Sequence, residues 1–188
     1  MPLLLAVVAA TLLLPLTGDE GWEVLRYRNI PPHIVGFGPN GMRIEVNASA
    51  APVIRPLDTP RRVRRLEARG RIEGRLQTTA AEQGRTGHDD YTLRVGLAAS
   101  QIGDARQHPA SDLIRERIVA VPAPDGTFTL TVDLDTPIET AAVWISSDGD
   151  DTRSRFVVTL ERLALVTDDA TPSSAAADRA PTARPARR

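Results

Sequence analysis

A chain of 188 residues with 41% apolar and 25% charged side chains has room for one domain plus terminal extensions, and this composition excludes wholesale disorder. Cysteine is absent, so no disulfide framework, thiolate zinc site or cysteine nucleophile can be built. All 23 basic residues are arginine, and the net charge of −1 argues against a general nucleic-acid binder, which needs a net basic surface to neutralise phosphates.

Residues 1–18 carry no charged side chain, and the nearly unbroken apolar run from Leu3 to Leu14 is 12 residues long. That is short for a bilayer span and right for the apolar region of an export signal. Pro15 ends the run, and Thr17-Gly18 offers small residues for cleavage before Asp19-Glu20. The expectation is a signal peptide over 1–18, a mature domain over 19–166 in the periplasm or outside the cell, and a membrane tether only if the segment stays uncleaved. From 167 onwards the chain is Ala, Pro, Ser, Thr, Asp and Arg, which cannot bury enough apolar surface to order itself. It is expected to be a disordered tail.

Between these ends the dominant signal is alternation with period two. Weaker strands are expected over 22–28, 34–37 and 52–57. After the turn Pro39-Asn40-Gly41, the residues Met42, Ile44, Val46 and Ala48 alternate with polar neighbours. Over 66–76 the even positions Leu66, Ala68, Gly70, Ile72, Gly74 and Leu76 are apolar or glycine, and every odd position is Arg or Glu. A helix would scatter those charges around its circumference, so this is a strand with one face inward. Tyr91, Leu93, Val95, Leu97 and Ala99 form another apolar row. Ser111 suggests the N-cap of one short helix over 111–118. Phe128, Leu130, Val132 and Leu134 alternate after Asp125-Gly126; 141–147 is continuously apolar, and Phe156, Val158 and Leu160 lead into Leu163 and Leu165. Many short strands punctuated by Gly and Pro indicate an all-β fold, a two-layer antiparallel sandwich with one short helix.

Charge is uneven along the chain. Residues 61–75 hold seven arginines against Glu67 and Glu73, while 133–151 hold six acids and no base. The two blocks are suited either to pair with each other in the fold or to face a charged ligand. The run Arg61-Arg62-Val63-Arg64-Arg65 lacks interleaved aromatics and leads into a charged strand face, so it reads as solvated surface and not as a nucleic-acid patch.

The chemistry-bearing residues are few. His33, His88 and His108 all read as loop residues, and no nucleophile elbow or paired-histidine metal spacing occurs. In Asp148-Gly149-Asp150-Asp151 the closely spaced acids around a glycine offer hard oxygens suited to calcium, although an ordinary Asx-rich turn between two strands is the favoured explanation. No other cofactor is implied. Trp144 is out of phase with Val143 and Ile145, which makes it a candidate for a sugar-stacking ring or for burial on a second apolar face. Arg94 faces away from Leu93 and Val95, and Asp90 shares its parity, about 13 Å away on a regular strand. Arg94, Asp90 and Trp144 are therefore the ligand-binding candidates, and Asp148, Asp150 and Asp151 the calcium candidates.

Gly21-Trp22, the stretch Asp89-Asp90-Tyr91 with Arg94-Val95, and Trp144-Ile145 followed by Asp148, Asp150 and Thr152 resemble a bacterial domain-of-unknown-function family, the one numbered three thousand and forty-seven. The resemblance covers 21–166. It implies an exported jelly-roll sandwich akin to galactose-binding modules, and no activity; the strand over 65–76 lacks the tryptophans it would imply. The functional expectation is a non-catalytic, exported or envelope-associated binding module whose partner is an envelope polysaccharide or a protein. The alternatives are a hydrolase of an envelope polymer using Asp89, Asp90 and Asp148, and a structural partner subunit.

Overall fold

In a computed structural model, described over residues 9–78, 89–99, 113–118 (backbone) and 122–168, the alternating segments form one antiparallel network of strands. In chain order these are β1 (Ala10–Leu13), β2 (Glu23–Val24), β3 (Ile34–Gly38), β4 (Gly41–Asn47), β5 (Ala50–Arg75), β6 (Tyr91–Ala98), β7 (Leu113–Ile118), β8 (Thr127–Asp148) and β9 (Arg155–Thr167). The strand order is β3-β4-β9-β5-β8-β6-β7, with β1 added to β9 and β2 to β5. Gly41 (φ 108°) and Gly126 (φ 81°) occupy left-handed backbone at the turns read from Asn40-Gly41 and Asp125-Gly126.

Two long strands carry the architecture. β5 pairs with β8 from Ala50↔Asp148 to Pro56↔Ala142, then from Arg61↔Thr140 to Arg71↔Thr127, with register shifts after Pro56 and after Val63. The later half of β5 also pairs with β9, and the later half of β8 with β6. Each long strand thus serves both layers of a sandwich. The register shifts reset the side-chain phase. Val53 is buried before them and Leu66, Ala68 and Ile72 after them; in β8, Val132 and Leu134 give way to Val143 and Ile145. In β9 a shift opposite Arg69 and Gly70 hands the core from Phe156, Val158 and Leu160 to Leu163 and Leu165. One apolar cluster joins the layers, with Met42, Ile44, Leu160 and Leu163 from one side and Val53, Leu93, Val95 and Ile145 from the other. Each such side chain contributes about 1.5–3 kcal/mol through burial.

The charge blocks meet at Arg65, which lies directly opposite Asp133 with Nε to Oδ1 at 2.6 Å. Other charges of the basic block pair with β9 instead: Arg69 reaches Glu161 at 3.5 Å, and Glu67 receives Arg162 at 3.6 Å.

The expected helix over 111–118 is corrected: residues 113–118 form β7, paired with β6 from Arg94↔Ile118 to Ala98↔Leu113. The edge of β6 offers a ladder of backbone partners, and that outweighs a weak local capping signal. Ser111 lies outside the described residues, and no helix occurs among those that are described. β1 occupies part of the segment read as an export signal, and β9 runs through Thr167.

Leu66 is 2% exposed on the inward face, whereas the Arg69 side chain is 60% exposed. Leu66→Asp is expected to lower unfolding free energy by more than about 3 kcal/mol and Arg69→Asp by about 1 kcal/mol or less. Urea denaturation checks this, and equal losses would mean that the face assignment is wrong.

Candidate functional site

A bulge in β6 builds the site. Arg94 pairs with Ser146 and Tyr91 with Asp148, so Thr92 and Leu93 together stand opposite Ser147 alone. The extra residue puts Tyr91 on the same face as Arg94, the outer face of this layer, instead of in the core row with Leu93. The Arg94 guanidinium lies over the Tyr91 ring at 3.6 Å from its centroid, a cation–π stack. The Tyr91 hydroxyl shares a hydrogen bond of 2.9 Å with Ser146 Oγ. Burial raises the tyrosine's pKa, so the phenol stays neutral. Tyr27, from the segment after β2, is 41% exposed and lies within electrostatic reach of Asp148, Asp150 and Arg94.

Asp90 has a different job from the one its parity suggested. Its fully buried carboxylate accepts hydrogen bonds from Asp151 N at 3.2 Å, Thr152 N at 2.9 Å and the Thr152 hydroxyl. It anchors the turn between β8 and β9, which is closed further by Ser154 N to Gly149 O at 2.9 Å and Gly149 N to Ser49 O at 3.1 Å. The anchored turn brings carboxylate oxygens of Asp90, Asp148 and Asp150 within 4.8 Å of one another. Such a set of hard oxygens fits calcium in chemistry. The sequence named Asp151 with Asp148 and Asp150; the geometry replaces it with Asp90. Asp151 turns toward Asp89, whose hydrogen bond raises the Asp151 pKa to about 6.

Trp144 is 4% exposed and packs with Ile54 and Leu25 in a small cluster on this outer face. Its ring lies against Gly96, its cross-strand partner, so it supports the face from beneath a cover and presents no open ring. His33, read as a loop residue, is buried: Nδ1 meets Ser49 Oγ at 2.9 Å, and Nε2 lies 3.0 Å from Ala51 N and 2.8 Å from Ser147 O. Burial lowers its pKa, favouring the neutral ring. His88 and His108 lie outside the described residues. Two open grooves of about 540 and 440 Å³ lie on the other layer, both bordered by Ile34, Glu45 and Glu73. Their edge includes the same-strand pair Arg43–Glu45, an ordinary solvated sheet face.

Tyr27 and Tyr91 were missed as site residues. Tyr91 was hidden because alternation assigned it to the core, and only the bulge reverses that. Tyr27 offered only its place in a weak strand.

Asp148 is pushed up to about 9, first by burial and then by its hydrogen bond and charge repulsion with Asp150. A carboxyl whose pKa rises on folding favours the fold while protonated, so this contribution is full below the ordinary 3.8 and lost as pH rises through about 9. In metal-free buffer the melting temperature is expected to lose this contribution as pH rises from 3.8 to about 9, and Asp148→Asn to flatten the fall; an unchanged profile in the variant would count against a protonated, buried Asp148.

A Cβ added at Gly96 would lie 2.1 Å from Trp144 Cε2. Gly96→Ala is expected to cost about 1–3 kcal/mol by urea denaturation, and Trp144→Leu to reduce that cost by opening space. Additive losses would show that the ring and the glycine are not coupled.

No family model matches the chain, and no curated protein matches it in sequence. Similar solved structures include a mutant of CBM29-2, a family 29 carbohydrate-binding module complexed with cellulohexaose, at 12% identity over 86% of this chain and 94% of that one, with a TM-score of 0.48. The xylan-binding module CBM15 aligns at 9% identity over 85% of this chain and 97% of its own, with a TM-score of 0.49. CBM86, a low-affinity xylan-binding module from Roseburia intestinalis, aligns at 8% identity over 85% and 96%, with a TM-score of 0.45. At these values the likenesses assign no ligand to this chain.

Proposed function

We propose that the protein is a non-catalytic binding module acting outside the cytoplasm, with its contact surface at Tyr27, Arg94 and the Asp148–Asp150 turn, and a glycan or other hydroxyl-rich envelope polymer as ligand. The observation that carries this reading is the Arg94 guanidinium stacked on Tyr91 beside the Asp148 and Asp150 carboxyl groups, with the Tyr27 ring exposed nearby. A sugar ring asks for that combination: an aromatic face for its C–H surface, a planar donor fork for paired hydroxyls, and carboxyl oxygens as acceptors. Calcium at Asp90, Asp148 and Asp150 would relieve the repulsion between the acids and add a ligand for hydroxyl oxygens. The resemblance to the numbered bacterial family agrees with export and supplies no activity.

The hydrolase alternative is less well supported. The Asp90 carboxylate is committed to the turn, and the three acids crowd within 4.8 Å, closer than the roughly 5–9 Å at which paired glycosidase carboxylates work.

Thermal melts with a panel of neutral and acidic oligosaccharides, each with calcium and with a chelator, test the reading. At least one sugar is expected to raise the melting temperature of the wild type, and Arg94→Ala and Tyr27→Ala to lose the rise while remaining folded. If no sugar shifts the melt under either condition, or if the variants respond like the wild type, this surface is not the binding site.

A further inference from the structure

Residues 10–16 lie in the stretch that the sequence marks as the end of a removable leader, yet they are built into the sheet and the core. β1 pairs with β9 in unbroken antiparallel register: Ala10↔Thr167, Thr11↔Val166, Leu12↔Leu165 and Leu13↔Ala164. The ladder extends one residue further through Leu14 N to Leu163 O at 3.0 Å. On that edge β9 pairs with β4 only as far as Leu160, so β1 takes over the row where β4 ends. Without β1, the end of β9 would present bare backbone donors and acceptors along an apolar edge.

The side chains agree with the backbone. Leu13 points outward at 57% exposure, while Leu14 and Leu16 are 6% and 5% exposed and belong to the main core cluster with Leu12 packed against it. A second tie comes from beyond the presumed cleavage point. The indole N–H of Trp22, itself a core residue, donates to the carbonyl of Pro15 at 2.7 Å. Cleavage at Gly18 and loss of the released piece would remove two buried leucines, a strand, and the partner of a buried donor together.

We infer that residues 10–16, β1 and the core segment that follows it, are a permanent part of the native protein and are not discarded with a leader, whatever route takes the chain across a membrane. The end of the apolar stretch, from Ala10, then has a structural use as sheet and core, and Thr17-Gly18 is a bend in the chain beyond it instead of a processing site. The inference does not depend on the ligand, and its test does not use one.

The cysteine-free chain permits a direct experiment. Leu14 and Leu163 form a hydrogen-bonded pair, so the alternate pair Thr11 and Val166 is of the close, non-hydrogen-bonded kind, with Cα atoms about 4.5 Å apart, within disulfide reach. Full-length protein carrying Thr11→Cys and Val166→Cys is expected to close a disulfide on mild oxidation, read by intact mass. A control pairing Thr11→Cys with Thr159→Cys, about 23 Å away along the strand, should stay reduced. Wild-type protein purified from its own cells should yield peptides containing residues 10–16, and a chain starting at Asp19 should melt about 10 °C or more lower, or fail to fold. Native protein beginning after Leu16 would overturn the inference, as would equal melting of the two chains or failure of the Thr11 and Val166 cysteines to join.

Discussion

The pairing of β5 with β8 is the constraint on which the rest of the molecule depends. Because each strand runs through both layers, a single ribbon fixes where the two sheets cross, which half of each strand meets β9 or β6, and which end of the sandwich holds the turn after Asp148. The shifts after Pro56 and Val63 are what let one ribbon do this. They bend the strands and switch the inward face, so that side chains of opposite sequence parity reach the same core. The candidate site inherits its position from this arrangement. Asp148 stands across from Ala50 on one side and Tyr91 on the other, and the Asp90 carboxylate then holds the following turn in place.

The arginine-rich stretch of β5 is accommodated, and it does not drive folding. Its charges lie on a solvated face beside acids from β8 and β9, in pairs whose side chains remain substantially exposed. Exposed pairs of this kind contribute about 0–1 kcal/mol each, well below the burial of a single core leucine. Their service is to solubility, and charge does not set the register: Arg75 stands directly opposite Arg155 and Arg69 opposite Arg162, the latter pair with Glu67 and Glu161 as diagonal partners that offset the repulsion.

Where a strand keeps one phase, its role was readable from residue types alone. The stretch beginning at Leu66 is the clearest instance: Leu66, Ala68 and Ile72 are buried, and Arg69, Arg71 and Glu73 are exposed. Reading failed wherever the pairing partner decides the outcome. Parity alone put Tyr91 in the core and spaced Asp90 from Arg94 as on a regular strand, because a bulge is a property of two strands and leaves no mark on one. The segment 113–118 carried a capping residue in front of it and a helix was expected, but the open edge of β6 set its conformation. His33 looked like a loop residue beside two prolines; its burial arises from Ser49, Ala51 and Ser147, which only the folded chain brings around it. Arg94 was legible as a candidate because core packing left it unexplained, and Asp148 and Asp150 because closely spaced acids around a glycine are hard oxygen donors.

The bulge between Tyr91 and Arg94 also governs how this surface can change over generations. Its essential content is a count, since two residues of β6 stand where β8 has one. Adding one residue to β8 opposite this point would restore regular pairing and put Tyr91 and Arg94 on opposite faces, dismantling the stack under Arg94 while every charged residue of the site remained. Dropping Thr92 or Leu93 would also remove the bulge, yet it would leave the two side chains two positions apart on one face. Relatives that keep the charged residues and differ by one residue in β8 here would therefore carry the same letters on a different surface, so the difference in length between the two strands is a better guide to shared ligands than the identity of any one side chain.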